Sequence, residues 1–255
     1  MSKFLLVHGS GHGAWCFEKL ANELRNRGHV ADAIDLPGHG RNKLPIRKIT
    51  LERYSSAIRK SLQSPTIVLG HSMGGYPISL AAETDPSFIK HLVYLTAFVP
   101  EDGKSLVELR NKVDNFPLLS VIKKTEDGLG FYIPQKYQKD IFYHDCSTKD
   151  VKLAAENLCV QAIKPQLTSI RLGLNFEKTP KSYVHCLDDR TIPLALQKEL
   201  SKKIPNENTY EINSGHSPFF SKPAELALVL EKIAAKIHYE KNKSPNKNYN
   251  FYSHS

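Results

Sequence analysis

The fold is decided by one stretch of the sequence, Thr66-Ile-Val-Leu-Gly70-His-Ser72-Met-Gly74-Gly75. Its first four residues follow a proline and are apolar or β-branched, which is typical of a buried strand. The residues after the turn are small and apolar and predict a buried helix. Gly70 and Gly74 leave room for a turn so sharp that the strand and the helix approach closely. The pattern G-x-S-x-G between a strand and a helix predicts that the Ser72 hydroxyl is exposed at the carboxyl edge of a sheet.

Short apolar runs alternate with amphipathic stretches along most of the chain. We predict strands over residues 4–7, 30–36, 66–69, 89–95, 182–187 and 209–212. We predict helices over residues 15–27, 51–62, 74–83, 194–203 and 224–239, with Thr50 as the N-cap of the second. Such alternation predicts a six-stranded, mainly parallel sheet that is flanked by helices on both faces.

The alternation is interrupted in the middle of the chain. Residues 1–100 and 180–240 are predicted to form the core, and residues 101–179 a small lid inserted between core strands. Within the lid we predict a hairpin over residues 121–133 and a helix that starts after Ser147 and runs to about residue 163. The last residues, 241–255, have no apolar periodicity, so we expect a flexible tail.

A serine hydroxyl needs a base that accepts its proton before it becomes a good nucleophile. In α/β-hydrolase folds the chain order is serine, then acid, then histidine. His216 follows the last predicted strand and is the expected base, while Asp188 and Asp189 end the preceding strand. Either carboxylate could orient the imidazole and stabilise its charged form. The alternative, a glycine-rich turn and a loop histidine without chemistry, is disfavoured by the match in context and order.

An ester-cleaving serine also needs donors for the oxyanion that forms during attack. We predict two backbone N–H groups in this role, that of Met73 at a helix N-terminus and that of Ser10. Ser10 lies in the loop Gly9-Ser-Gly-His-Gly13, which lacks the G-K-[ST] ending of a phosphate loop. No histidine, aspartate and glutamate set has metal-ligand spacing, so we expect neither a metal nor a cofactor.

Composition restricts the remaining classes of function. The 255 residues suit one α/β domain with an insertion, and the formal charge of +9 is spread out, which favours a solvated basic surface. No aromatic-interleaved module accompanies the charge, so we expect no nucleic-acid partner. Four cysteines without a C-x-x-C pair suggest free thiols in a reducing compartment. Only four consecutive apolar residues precede His8, too few for a signal peptide or a membrane span, and the expected location is cytoplasmic, without a membrane partner.

The chain resembles one family in three segments, His8-Gly-Ser-Gly-His-Gly-Ala-Trp15, Gly70-His-Ser-Met-Gly-Gly75 and Ser214-Gly-His216. They are similar to the plant methylesterase and hydroxynitrile lyase group of α/β hydrolases and to related bacterial esterases. The resemblance covers most of residues 3–238, including Asp189-Arg-Thr-Ile-Pro193 and Gln197. It implies Asp189 as the acid, and hydrolysis of a carboxylic ester through an acyl-enzyme, without a cofactor, beneath a small lid.

Two positions depart from the lyases of that group. These enzymes carry a threonine after the first histidine and a lysine after the catalytic histidine, where this chain has Gly9 and Ser217. The alternative of a carbon–carbon lyase is therefore disfavoured, and a second alternative is a small-ligand receptor without turnover. The segment Asp35-Leu-Pro-Gly-His-Gly40 is more similar to microbial α/β hydrolases, which disfavours plant-hormone methyl esters as substrates.

The expected substrate is a small-molecule ester. Its pocket is predicted to be lined by Gly11, His12, Phe98, Phe131 and Ser217. The aromatic residues suggest an apolar acyl or aryl pocket, although they fit the core of the lid equally well. The assembly is expected to be a monomer or a homodimer.

Overall fold

The structure of the protein, a computed structural model, describes residues 1–112, 114 and 116–243. The strands are β1 (Lys3–Val7), β2 (Val30–Ile34), β3 (Thr66–His71), β4 (Ile89–Leu95), β5 (Lys123–Lys124), β6 (Gly130–Tyr132), β7 (Gln161–Ala162), β8 (Lys181–Cys186) and β9 (Thr209–Ile212). The helices are α1 (Glu18–Asn26), α2 (Leu51–Ser61), α3 (Gly75–Thr84), α4 (Leu106–Arg110), α5 (Gln135–Phe142), α6 (Thr148–Asn157), α7 (Lys164–Leu167), α8 (Leu174–Lys178), α9 (Leu194–Ser201), α10 (Pro218–Ser221) and α11 (Pro223–Lys243).

Six of these strands form one parallel sheet in the order β2-β1-β3-β4-β8-β9. The predicted six-stranded sheet is therefore confirmed. Because every strand runs in the same direction, the carboxyl ends of β1, β3, β8 and β9 meet at one edge. The loops that carry Ser10, Ser72, Asp189 and His216 all leave the sheet there.

Helices cover both faces of the sheet, as the continuous apolar strands require. One apolar cluster joins alternate residues of the strands to helices α2, α3 and α9, and includes Val68 and Tyr94. The other joins the opposite residues to α1 and α11, and includes Leu69 and Val93. The predicted N-cap is present, since the Thr50 hydroxyl accepts a hydrogen bond from the N–H of the third helical residue of α2.

Between β4 and β8 the described residues form five short α-helices and a three-stranded antiparallel sheet, β5-β6-β7. The predicted hairpin is present as β5 and β6. The predicted helix after Ser147 is wrong at its end, because α6 stops at Asn157 and Leu158 is extended. Tertiary hydrogen bonds explain the difference: the N–H of Cys159 donates to the carbonyl of Gly11, and residues 161–162 pair with β6.

The C-terminal helix α11 is longer than predicted and continues to Lys243. The rest of the predicted tail, residues 244–255, lies outside the described residues. Within the described part of the chain, no helix combines the length and the apolar character that a bilayer span requires.

Candidate active site

Ser72 lies at a strained turn between β3 and α3. Its φ angle is +55°, in the left-handed region that residues with a side chain rarely adopt. The turn is tight enough that a Cβ atom on Gly70 would lie 2.6 Å from the carbonyl oxygen of Gly74. The N–H of Phe98 donates to the Ser72 carbonyl at 3.1 Å and holds the turn from the β4 side. The geometry agrees with the turn predicted from G-x-S-x-G.

The loop after β1 lies directly against this turn. A Cβ atom on Gly9 would approach the Ser72 Cβ to 2.9 Å, so glycine is needed for the two loops to pack. The next residue, Ser10, is held on both sides, because its hydroxyl accepts a hydrogen bond from Gln166 Nε2 at 2.9 Å and its carbonyl oxygen lies 2.8 Å from His12 Nδ1. The structure thus brings Ser10 and Ser72 together, as predicted.

Asp189 is a buried carboxylate with four hydrogen-bond donors. Its Oδ1 accepts from the backbone N–H groups of Thr191 at 2.7 Å and Ile192 at 2.9 Å. Its Oδ2 accepts from the Thr96 hydroxyl at 2.5 Å and lies 2.7 Å from His216 Nδ1. Complete hydrogen bonding allows a charged group to be buried in this position.

Asp188 points the other way. Its side chain is 63% exposed, and its Oδ2 lies 3.0 Å from His144 Nε2. Both residues lie in the turn after β8, which ends at Cys186, and only the Asp189 carboxylate contacts His216. The structure brings Asp189, and not Asp188, to the imidazole.

The His216 ring is fixed by its neighbours as well as by Asp189. The His71 Nε2–H donates to the His216 carbonyl at 2.9 Å, and the two rings are 4.5 Å apart. The Phe142 ring stacks on the imidazole of His216, with 5.6 Å between centroids. Burial lowers the pKa of His71 well below its ordinary value and lowers that of His12 to about 4. These histidines stay neutral near pH 7 and add no positive charge beside His216.

A small cavity of about 20 Å³ lies beside Ser72. Its lining is largely apolar, with Met73, Phe98, Leu106, Phe116, Leu118, Ile122, Phe131 and Ile192, together with Ser10, Arg110, Gln166 and Thr191. A space of this size holds about one water molecule.

A wider groove, of about 760 Å³, lies elsewhere on the molecule and includes Asp35, Arg41 and Cys159. The Asp35 carboxylate accepts from the backbone N–H groups of Ala14 and Arg41, at 2.7 and 3.1 Å. Burial raises the pKa of the Cys159 thiol, so its reactive thiolate form is disfavoured. The cavity at Ser72 is therefore the candidate site, because it adjoins the candidate nucleophile, although the other groove is larger.

Of the predicted pocket residues, Phe98 and Phe131 line this cavity, and Gly11, His12 and Ser217 lie outside its lining. Gly11 faces the chain around residue 159, since its added Cβ would lie 2.9 Å from that carbonyl oxygen. The His12 Nε2 lies 2.7 Å from the Tyr143 hydroxyl. Ser217 is fully buried.

Residues 141–146, which we call the bracing segment, contact both loops that carry the acid and the base. The Thr191 hydroxyl donates to the Ile141 carbonyl at 2.6 Å, close to Asp189. The N–H of Gly215, next to His216, donates to Asp145 Oδ2 at 2.7 Å. With the His144–Asp188 contact and the Phe142 ring, one segment thus connects the two loops.

Sequence reasoning missed several residues of the site, among them Thr96, Arg110, Asp145 and Gln166. Thr96 had a usable signal, because it directly follows β4 at the same sheet edge as the other site loops. The others belong to the 101–179 segment, where no sequence motif indicates a functional residue.

Metal ligands were not expected from the spacing of histidine and acidic residues. Among the residues that the structure describes, no three histidine, cysteine, aspartate or glutamate side chains are placed to hold an ion. Independence from metals and cofactors stays a prediction.

A family model described as "Alpha/beta hydrolase family" matches residues 4–228, so the chain belongs to this family. It is 30% identical over 251 residues to "Putative methylesterase 14, chloroplastic" of Arabidopsis thaliana, covering 92% of this chain and 72% of that protein. It is 30% identical over 257 residues to Methylesterase 4 of the same plant, covering 92% and 97%.

The fold is also shared with solved structures. A crystal structure of a pyrethroid hydrolase from Sphingobium faniae JZ-2 matches with a TM-score of 0.82 and 24% identity, covering 92% of this chain and 97% of that one. The predicted resemblance to the methylesterase group is confirmed. The expected cytoplasmic location and oligomeric state stay predictions.

Proposed function

We propose that the protein hydrolyses carboxylic esters with Ser72 as nucleophile, His216 as base and Asp189 as acid. One observation carries the proposal: the buried Asp189–His216 pair, joined at 2.7 Å, lies at the same sheet edge as a serine on a strained turn. The names of the methylesterase relatives support an ester substrate.

The first step transfers the serine proton. An ionised carboxylate only accepts hydrogen bonds, so the Asp189 contact keeps the proton on His216 Nδ1 and leaves a lone pair on Nε2. Nε2 accepts the Ser72 proton while Oγ bonds to the ester carbonyl carbon. The negative charge moves to the carbonyl oxygen, and the N–H groups of Ser10 and Met73 donate to it. The Met73 N–H lies in the first helical turn, where such groups have no partner within the helix.

The second half regenerates the enzyme. The tetrahedral intermediate collapses, the alcohol leaves with the proton from His216 Nε2, and an acyl group remains on Ser72. Water then attacks the acyl-enzyme while His216 again accepts a proton. The carboxylic acid leaves, and the proton returns to Ser72. Asp189 stabilises the imidazolium in both halves.

Two other functions are considered, and the first lacks a residue that it would need while the second predicts no product formation. A carbon–carbon lyase would need a proton donor for its leaving group, and the neutral Ser217 follows His216 where lyases of the related group have a lysine. A non-catalytic receptor would bind esters without product formation. Both alternatives are separated from an esterase by direct measurement of acid and alcohol release.

The test uses Ser72→Ala with Ser87→Ala as the matched control, because Ser87 is exposed at the opposite end of the sheet. With p-nitrophenyl acetate, Ser72→Ala is expected to lose turnover by several orders of magnitude, about the loss seen for other serine hydrolases. Ser87→Ala should be unaffected, and both variants should keep the wild-type melting temperature.

A fluorophosphonate probe should label wild-type protein on Ser72, and a p-nitrophenol burst should precede steady turnover. Labelling at another residue, or near-normal turnover of Ser72→Ala, overturns the proposal.

A further inference from the structure

Arg110 is the one charged side chain among the described residues that line the cavity at Ser72. It is the last residue of α4, and the N-terminus of this helix is stabilised by side-chain hydrogen bonds. The Ser105 hydroxyl accepts from the Glu108 N–H, and the Glu108 carboxylate accepts from the Ser105 N–H, a capping box. The helix therefore holds Arg110 at the cavity among apolar neighbours such as Leu106 and Phe116.

Arg110 has no acidic partner in the described part of the chain. Its Nε is buried without a hydrogen bond there, and burial lowers the pKa of its guanidinium. The acid nearest to it on α4, Glu108, is committed to Ser105 and lies 3.3 Å from Lys104 Nζ. A partly buried guanidinium that lacks a counter-ion is costly, and a ligand anion would remove that cost.

Apart from Ser72, the proposed nucleophile, the other polar side chains of the cavity already make hydrogen bonds. The Gln166 amide donates to the Ser10 hydroxyl at 2.9 Å, and the Thr191 hydroxyl donates to the Ile141 carbonyl at 2.6 Å. Arg110 is thus the group left to recognise a charged part of a ligand. Its planar fork of donors matches a carboxylate in two parallel hydrogen bonds.

We propose that Arg110 binds a carboxylate of the substrate, so that the preferred substrates are esters that also carry a free acid group. This inference rests on the proposed function, since it concerns the ester that Ser72 attacks. The negative charge would be located away from the scissile ester, on either the acyl or the alcohol part.

A purely structural role predicts a different result. The carbonyl end of a helix favours a cation, and Arg110 would then stabilise α4 without contacting substrate. Its replacement would change stability, and would change the rates for neutral and anionic esters alike. The ratio between the two rates is therefore the decisive quantity.

The experiment compares matched esters on Arg110→Gln, on Arg110→Lys and on the control Arg47→Gln, which removes the same charge from an exposed position. In the acyl arm, mono-p-nitrophenyl glutarate is compared with p-nitrophenyl pentanoate. In the alcohol arm, 4-acetoxybenzoate is compared with its methyl ester. Initial rates give kcat/KM for each, and melting temperatures report folding.

We expect wild-type protein and Arg47→Gln to prefer the anionic ester in one arm. Arg110→Gln should lose that preference by about tenfold to a hundredfold, the range for hydrogen bonds to charged groups, with Arg110→Lys in between. The neutral esters should lose much less than the anionic esters in the Arg110 variants, so that the ratio of anionic to neutral kcat/KM falls, whereas both rates should stay at the wild-type level in Arg47→Gln. No preference in either arm, or a preference that survives in Arg110→Gln, overturns the inference. Hydrolysis of neutral esters that depends on Ser72 would leave the proposed function intact in that case.

Discussion

Asp188 and Asp189 carry identical side chains, but only that of Asp189 faces His216. In the turn after β8 the Asp189 carboxylate contacts His216, while the Asp188 carboxylate contacts His144. The Asp189 side chain is fully buried and accepts four hydrogen bonds, whereas that of Asp188 is 63% exposed. The proposed role of a carboxylate that orients His216 therefore falls on Asp189.

Asp189→Asn is expected to lower kcat by about ten-thousandfold, the loss known for this exchange in a serine protease, because an amide can stabilise the wrong imidazole tautomer. Asp188→Asn should change kcat only modestly, since its carboxylate faces solvent and His144. Both variants should be assayed with the same p-nitrophenyl ester and compared by melting temperature. An inactive Asp188→Asn beside an active Asp189→Asn would contradict the assignment.

The bracing segment, residues 141–146, acts between elements that are far apart in the chain. It begins at the end of α5 and contacts the loop after β8 and the loop after β9. Its direct link to the base loop is the 2.7 Å hydrogen bond from the Gly215 N–H to Asp145. Because Gly215 immediately precedes His216, this bond fixes the backbone from which the imidazole projects.

Asp145→Ala removes that acceptor and is expected to lower kcat by about tenfold to a hundredfold, the range for small misplacements of a catalytic group. Asp145→Asn keeps a carbonyl oxygen in place and should retain most of the activity. The exposed Asp140→Ala serves as the control for a lost charge in the same region. Steady-state kinetics should show the loss in kcat rather than in KM. Equal losses in the alanine and asparagine variants would exclude this role for the hydrogen bond.

Buried histidines couple the stability of the whole molecule to pH. Burial lowers the pKa of six of the described histidines, to about 4 for His12 and His91, and the other four are His8, His39, His71 and His185. An unfolded-state histidine titrates near pH 6.5, so below this pH the unfolded chain binds protons that the folded chain does not. The free energy of unfolding is therefore highest above about pH 6.5 and falls as the pH decreases toward the folded pKa values.

His91 provides a test away from the proposed active site. It lies near the amino end of β4, is 4% exposed and has its Nε2 2.8 Å from the Ser182 hydroxyl. Between pH 7.5 and pH 5 this histidine alone should lower the free energy of unfolding by about 2 kcal/mol. Urea unfolding of wild type and His91→Gln at both pH values should show a pH effect smaller by that amount in the variant. An unchanged pH effect would contradict the cause assigned here.

The sequence alone was sufficient to predict the sheet, the turn at Ser72 and the candidate base. Buried parallel strands are recognisable as short apolar runs. The turn requires glycines because a side chain there would collide with residues that are close in sequence. The position of His216 followed from chain order. These features depend on residues that are close in sequence or on chain order, so they can be predicted without the tertiary structure.

Other features depended on tertiary structure. The hydrogen bond from Thr96 to Asp189 joins residues 93 positions apart, and that from Gly215 to Asp145 joins residues 70 positions apart. The end of α6 at Asn157, four residues before β7 begins, and the position of Arg110 at the Ser72 cavity also depend on contacts between separate elements. Such contacts have no local periodicity, because they form only when separate elements pack and compete for the same backbone hydrogen bonds.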